Sequence, residues 1–481
     1  MGLKIPTTEE MFPHLQLSIG DMEDYDLLTQ MILEETIAEY EEYAYIHNRT
    51  MDSKKWKPIK THEHLTCYKK GDRASPDDSF ATASNGSSSR GSLTSTSSMS
   101  SMNSMSNTAS WGTAHPKMVV AGTIVGNLED AMFGFITPDT ETVKVKTSYV
   151  DDDIAECRVL QHMRVPSKIN PFRYFGLKWC VKSTPRMATM VRHRDYVYLD
   201  RTGIHVLPSG ERVGFVIWHS IDHPHAGDLA TLGFVRAKQS ICFLLKEGAQ
   251  SSIEVYARAF MDSGGNLPER VAITSAADNL IASLQVGWCA QNKKLAYMMA
   301  ETAAARMRHN NSADPNAAKP KVSTSKTCTL CKKGLSLFRT LTTCELCFEQ
   351  ICARCLTGRK LSYVRRSGDL IQVPTGFCKT CITRASAISA SDIMIIEYAA
   401  TMPRLASNEQ LKTPVLESKS PAQPAYQMPS RRKQSISSPA KPVMKTPRVT
   451  ESEHGSRRGL TLEELTTQKE APTLSQRGGL L

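Results

Sequence analysis

Short apolar stretches, set apart by turn residues, dominate the middle of the chain. Strand-like runs fall at Tyr174–Val181, Arg194–Asp200, Arg212–His219, Gly233–Leu245 and Ser252–Met261. Their lengths and content of β-branched and aromatic residues suit strands with at least one buried face. Asp200-Arg201-Thr202-Gly203 and Pro208-Ser209-Gly210 read as hairpin breaks between them. A shorter run, Leu65-Thr66-Cys67-Tyr68, lies upstream. Helical patterns flank the strands. Asp21 to His47 carries Leu28, Ile32, Ile37, Tyr40 and Ala44 on one face. Pro268 opens a long helical stretch with Val271, Ala277, Leu280, Ile281, Leu284 and Trp288 on one side. Helix, antiparallel strands, then a long helix predicts an α+β domain in which the last helix closes over a curved sheet.

Between Ser84 and Ser110 the pattern fails. Thirteen of these 27 residues are serine and Arg90 is the one charge. Such a segment cannot bury enough apolar surface to offset its ordering entropy. An insert over about 72–114 is therefore expected to be disordered. The stretch from 386 to 481 is polar and proline-rich after one short helix candidate, Ser391–Ala400, and is expected to be mostly disordered too. With 481 residues and 24 prolines, the chain is too long for one core and reads as two domains plus linkers. No apolar run approaches the ~18 residues of a membrane-spanning helix. Met1 to Pro6 has neither a secretory core nor a myristoylation pattern, so a cytoplasmic protein is expected.

Charge and cysteine converge on one segment. Residues 319–384 hold 13 basic and 3 acidic groups, within a chain of net charge +11. Eight of the 13 cysteines fall there, in the pattern C-x2-C-x12-C-x2-C-x4-C-x2-C-x22-C-x2-C from Cys328 to Cys381. Four such knuckles supply thiolates for two tetrahedral zinc ions. Sequential and interleaved pairings both satisfy the count. The four-residue gap between the second and third knuckles favours an interleaved cross-brace, with Cys328, Cys331, Cys352 and Cys355 on one zinc and Cys344, Cys347, Cys378 and Cys381 on the other. The remaining cysteines (Cys67, Cys157, Cys180, Cys242, Cys289) sit among apolar neighbours and read as core residues. His219, Asp222, His223 and His225 have metal-ligand chemistry, but Pro224 places them in a turn.

Two resemblances follow from these residues. Val216-Ile217-Trp218-His219-Ser220-Ile221-Asp222-His223-Pro224, Gly233-Phe234-Val235-Arg236-Ala237, Arg194-Asp195-Tyr196-Val197 and Asp262-Ser263-Gly264-Gly265-Asn266-Leu267-Pro268 resemble the START lipid-binding domain, over roughly residues 15–306. That likeness implies a helix-grip fold around an apolar tunnel, with Arg194, Asp195, Arg236 and Leu284 as lipid-cavity candidates. After a linker at 307–324, residues 325–385 resemble the FYVE zinc finger through its first three knuckles. The family's basic headgroup run is here Thr340-Leu341-Thr342-Thr343-Cys344-Glu345, and its arginine before the seventh cysteine is replaced within Thr375-Gly376-Phe377. The resemblance thus carries over the zinc scaffold and not the 3-phosphoinositide chemistry. The family's membrane-dipping loop corresponds to Leu335, Leu337 and Phe338, flanked by Lys332, Lys333 and Arg339.

No nucleophile–base pair, phosphate-cradling glycine loop or interpretable carboxylate pair is present, so catalysis is not expected. The expectation is a non-catalytic lipid-binding adaptor with two structural zinc ions. It would take a lipid ligand, bind anionic internal membranes weakly and peripherally, accept a protein partner at the finger, and bind no nucleic acid. Two other readings of the finger stand beside this one, a RING-type ubiquitin ligase and a small-GTPase effector. RING fingers usually place a histidine among the middle ligands, and all eight here are cysteine.

Overall fold

The computed structural model describes residues 5–71, 116–183, 191–311, 325–334 and 340–407. The serine-rich insert and the polar tail beyond Ser407 lie outside these residues.

Helix α1 (Thr8–Met11) is followed by α2 (Ile19–Glu41), which continues as a π turn over Glu42–Ile46. Ser18 starts α2 through a capping box. Its hydroxyl accepts from the Asp21 amide, and the Asp21 carboxylate accepts from the Ser18 amide. The strands are β1 (Trp56–His62), β2 (Leu65–Lys70), β3 (Lys117–Val125), β4 (Ile154–Arg164), β5 (Tyr174–Lys182), β6 (Arg194–Val206), β7 (Arg212–Ser220), β8 (Val235–Arg236), β9 (Lys238–Glu247) and β10 (Ser252–Asp262). They form one sheet in the order β1-β2-β3-β10-β9-β7-β6-β5-β4, antiparallel along that path, with β8 added in parallel beside β6.

The sheet separates two cores, because successive side chains point to opposite faces. On β6, Val197 and Leu199 join the core under α2, with Leu28 and Ile32. Tyr196 and Tyr198 face the other way. That second, concave side is covered by α3 (Leu128–Phe135), α4 (Thr140–Thr147), α5 (Glu269–Ala282) and α6 (Val286–Asn311). Leu280, Ile281 and Leu284 pack there against Val255, Ala257 and Phe243. This is the expected α+β helix-grip arrangement.

Three details differ from the sequence reading. The long terminal helix is broken into α5 and α6 between Ala282 and Val286. The break lets the start of α6 touch α3 backbone to backbone. A Cβ at Gly134 would lie 2.2 Å from the Val286 carbonyl oxygen, so only glycine fits. It also turns Trp288 outward, to 46% exposure, whereas Leu284 stays buried. Asp200–Gly203 is not a hairpin break, since β6 runs through it to Val206. Gly203 serves instead to admit the Phe215 ring, which would lie 2.8 Å from a Cβ there. The turn at Pro208-Ser209-Gly210 is present, with Gly210 at φ +84°. Finally, α6 runs on into the expected linker, to Asn311.

The cysteine-rich segment adds the paired strands β11 (Leu341–Thr343) and β12 (Gln350–Cys352), the hairpin β13 (Leu356–Val364) and β14 (Leu370–Cys378), and α7 (Lys379–Ser386). A last helix, α8 (Ala390–Ser407), extends well past the expected Ser391–Ala400. Its Ala390, Ile393 and Met394 are buried in the concave core beside α3. The segment after 385 therefore begins as part of the folded body, because three apolar side chains one helical turn apart have a core to enter. Among the described residues no helix is long and apolar enough to cross a membrane.

Candidate metal centre and charged sites

The eight cysteines of the finger gather into the two interleaved sets, Cys328/Cys331/Cys352/Cys355 and Cys344/Cys347/Cys378/Cys381, with sulfurs within 4.8 Å of one another in each. Two sulfur–sulfur edges test the fit to metal. Cys331 and Cys352 are 3.7 Å apart, and Cys347 and Cys378 are 3.8 Å apart. A tetrahedron with metal–sulfur bonds of ~2.3 Å has edges of about 3.75 Å. Backbone amides aim at the sulfurs as well. The Cys378 amide donates to Cys344 Sγ at 3.2 Å and the Cys381 amide to Cys378 Sγ at 3.4 Å. A bond from the Cys381 thiol, opposed by burial and helped by backbone donors, holds Cys344 down at about 4. Within the tetrads, burial first and then the neighbouring sulfurs raise Cys347 to about 11 and Cys355 to about 12. Burial pushes Cys157 and Cys289 up to about 11, and Cys67 and Cys242 up to about 12, so they are neutral core thiols. The residues fit two zinc ions, which would act as structural cross-links between deprotonated thiols. Among the described residues, His219, His223 and His225 form no such set. His219 is buried with Nδ1 2.9 Å from Ser240 Oγ, while the His223 and His225 rings meet at a tilt of 51° in a loop.

The first two knuckles place a left-handed residue just after their second cysteine. Lys332 takes φ +58° and Phe348 takes φ +60°. Glycine would accept this without penalty, and a side chain costs on the order of 1 kcal/mol. At Phe348 the ring meets the Arg306 guanidinium of α6, 3.4 Å from its centroid, a cation–π contact that offsets the strain. Lys332 and Lys333 are exposed, whereas Leu335, Leu337, Phe338 and Arg339 lie outside the described residues.

The finger is docked on the helix-grip domain. Leu295 and Met298 of α6 are buried among Leu346, Ile351, Leu361 and Phe377. Tyr149 Oη accepts from the Ser362 amide at 2.7 Å, Lys144 Nζ donates to the Gly368 carbonyl at 2.9 Å, and Gln372 Nε2 donates to the Ser148 carbonyl at 3.2 Å. Between the two parts runs an open groove of about 780 Å³. Thr342, Thr343, Glu345 and Thr375 line it. Arg359 lines it too, but is already engaged, stacking over Trp288 at 4.5 Å and donating to Gln291 Oε1 at 3.1 Å.

Of the lipid-cavity candidates, Asp195 and Arg236 are set on the α2 side by the sheet's alternation. Asp195 points to the α2 face, where its Oδ2 accepts from Trp179 Nε1 at 3.1 Å and from the Arg236 guanidinium at 2.9 Å. Arg236 also donates to the carbonyls of Ala226 and Gly227. The pair braces a loop and does not face the grip. Arg194 lies on the grip side but donates to the carbonyls of Ser263 and Arg192. Leu284 packs in the concave core, across the sheet from Asp195.

Sequence reasoning missed what the grip does contain, which is buried charge. Lys178 Nζ lies 2.5 Å from Asp200 Oδ2 and 2.9 Å from Thr137 Oγ1, with no exposed side-chain surface. Lys146 pairs with Asp152 at 2.9 Å and sits 4.9 Å from the Trp218 ring centroid. Thr137, Lys146, Asp152 and Asp200 border a space of about 20 Å³, enough for one water molecule. Alternation puts Lys178 and Asp200 on one face of β5 and β6, diagonal to each other since Lys178 pairs with Tyr198 and Asp200 with Gly176, a signal readable only once the register is known.

No family model and no curated protein matches this chain. Solved structures do. Human STARD10 is 11% identical, covering 57% of this chain and 89% of its own, at a TM-score of 0.33. The lipid transfer and protein localization domain of human StarD13 (DLC2) is 12% identical over 57% and 98%, at 0.31. Human StAR-related lipid transfer protein 5 is 14% identical over 54% and 97%, at 0.33. At this identity and score the likeness carries no functional information.

Proposed function

We propose that this chain is a non-catalytic, lipid-binding adaptor whose helix-grip domain is locked to a two-zinc, FYVE-related finger. The carrying observation is the pair of interleaved cysteine tetrads, with sulfur–sulfur edges of 3.7 and 3.8 Å, on a finger that shares a buried core with α6. Zinc is structural in this reading, because every sulfur of each tetrad serves as a ligand and none is left as an open position for chemistry. The helix-grip fold and the START-like motifs support the lipid ligand. The loss of the headgroup run to Thr342, Thr343 and Glu345 argues against 3-phosphoinositide specificity. The basic charge of the finger supports the remaining part of the reading, a cytoplasmic protein peripheral to internal membranes. Native mass spectrometry with lipid extraction tests both halves together. Two zinc ions per chain and one co-purified lipid are expected, and a metal-free, lipid-free folded chain overturns the reading.

A further inference from the structure

At the end of β5, β6 and β7, the loop 165–173 and the 207–211 turn flank an open cleft of about 610 Å³. Its floor is apolar, with Phe172, Phe175, Phe215 and Leu33 below and Ile395 from α8 at the side. One wall is cationic. Arg164 holds Asp26 through two bonds of 2.6 and 2.9 Å, and Arg201 reaches the same carboxylate at 3.2 Å. Arg173 stands in their field and makes no direct carboxylate contact among the described residues. On this wall one carboxylate answers three guanidiniums, while a second carboxylate, Glu129, lines the cleft and meets Arg212 at 3.6 Å. Burial first, and then the like charges of Arg164 and Arg173 against the pull of Asp26, lower Arg201 to about 10. Arg164, its side chain only 10% exposed, also keeps a buried Nε with no acceptor. A desolvated cationic cluster with a spare donor is the environment an anion stabilises.

The rim identifies the anion's source. Lys168 adds an exposed cation, and beside it Ile169 is 89% exposed and Val206 59% exposed. Bare aliphatic tips next to lysine suit a bilayer surface, where the apolar groups enter and the cation meets acidic headgroups. A soluble anion would have no use for them.

We propose that this cleft is the protein's acidic-lipid site. The headgroup lies between Lys168 and Arg173, the acyl chain runs over the phenylalanine floor, and Ile169 and Val206 rest in the membrane. The site is separate from the grip interior and from the finger. It deepens the lipid-binding reading and rests on it for the class of ligand.

The test uses the full chain with phosphatidylcholine vesicles, with and without phosphatidic acid, and a soluble short-chain phosphatidic acid followed by calorimetry. Each cation near an anionic surface is worth about fivefold in affinity. K168Q with R173Q should therefore weaken binding to acidic vesicles about thirty-fold, and weaken short-chain lipid as well. I169S with V206S should weaken vesicle binding while leaving short-chain lipid unchanged. Unaltered vesicle binding by K168Q/R173Q, at wild-type melting temperature, overturns the assignment. So does loss of all vesicle binding in the finger variant K332Q/K333Q, or inorganic phosphate competing as well as lipid. A wild type that ignores acidic vesicles yet yields a co-purified lipid sinks this site and leaves the lipid-binding reading standing.

Discussion

Replacing Cys352 with serine should loosen the finger and, through it, the helix that closes the grip. Cys352 is 2% exposed and completes one tetrad. Its loss should release about one zinc equivalent, removing a contribution on the order of 10–16 kcal/mol in zinc-finger peptides. The few apolar side chains of the finger, such as Leu346, Ile351, Leu361 and Phe377, cannot replace that. The effect on α6 follows from what the finger covers. Leu295 and Met298 are buried against it, at about 1.5–3 kcal/mol each. The hydrogen bonds joining Tyr149 to Ser362, Lys144 to Gly368 and Ser148 to Gln372 add about 1 kcal/mol apiece. The docking is thus worth about 6–9 kcal/mol, of which about half survives if the freed side chains repack. A loss of ~3–4 kcal/mol is two to three decades in exchange rate. Hydrogen exchange read by mass spectrometry should show 325–386 unprotected and 290–300 faster by that factor, with β5 to β7 unchanged. Protection of 290–300 equal to wild type, with zinc demonstrably lost, would refute the coupling. Full protection of the finger in chelator would refute structural metal altogether.

Other outcomes follow from the buried charge and the altered finger. K178M should destabilise the protein by about 3–5 kcal/mol in urea unfolding, because Asp200 is left buried and uncompensated, while K178M with D200L should recover most of it; a double variant no better than the single one would show that the pair is not the cause. His162 and His219 are both lowered to about 4, first by burial and then by the neighbouring Lys178 and Arg258 respectively. Their folded values lie below the unfolded value near 6.5, so the unfolded chain binds more protons between these limits. Stability should be complete above pH ~6.5 and fall by up to ~3 kcal/mol per histidine as pH drops toward 4, and a flat urea midpoint across that window would contradict it. The isolated finger face should bind phosphatidylinositol 3-phosphate no better than other lipids of equal charge in liposome sedimentation, since Thr342, Thr343 and Glu345 offer no cationic donors; a salt-resistant preference for the 3-phosphate would show that Arg359 and Lys360 rebuild a pocket.

The sequence by itself determined the parts whose signal is local. Knuckle spacing named all eight cysteines of the two tetrads and their interleaving, because two sulfurs from one turn are a short-range geometric unit. Alternating apolar runs located β5, β7, β9 and β10, and the α2 stripe chose its buried face. What remained hidden depended on long-range register. Asp195 and Arg194 are adjacent in the chain but on opposite faces of β6, and only the pairing with β5 and the position of α2 decide which face is the grip. Lys178 and Asp200 are unremarkable charges until strand pairing sets them 2.5 Å apart in a core. Gly134 and Gly203 look like breaks and are close approaches, a property of the partner element and not of the glycine. Trp288 and Arg359, and likewise Asp26 with Arg164 and Arg201, meet across more than seventy residues of chain. No periodicity records such meetings, since they exist only where the tertiary structure brings distant surfaces to one place.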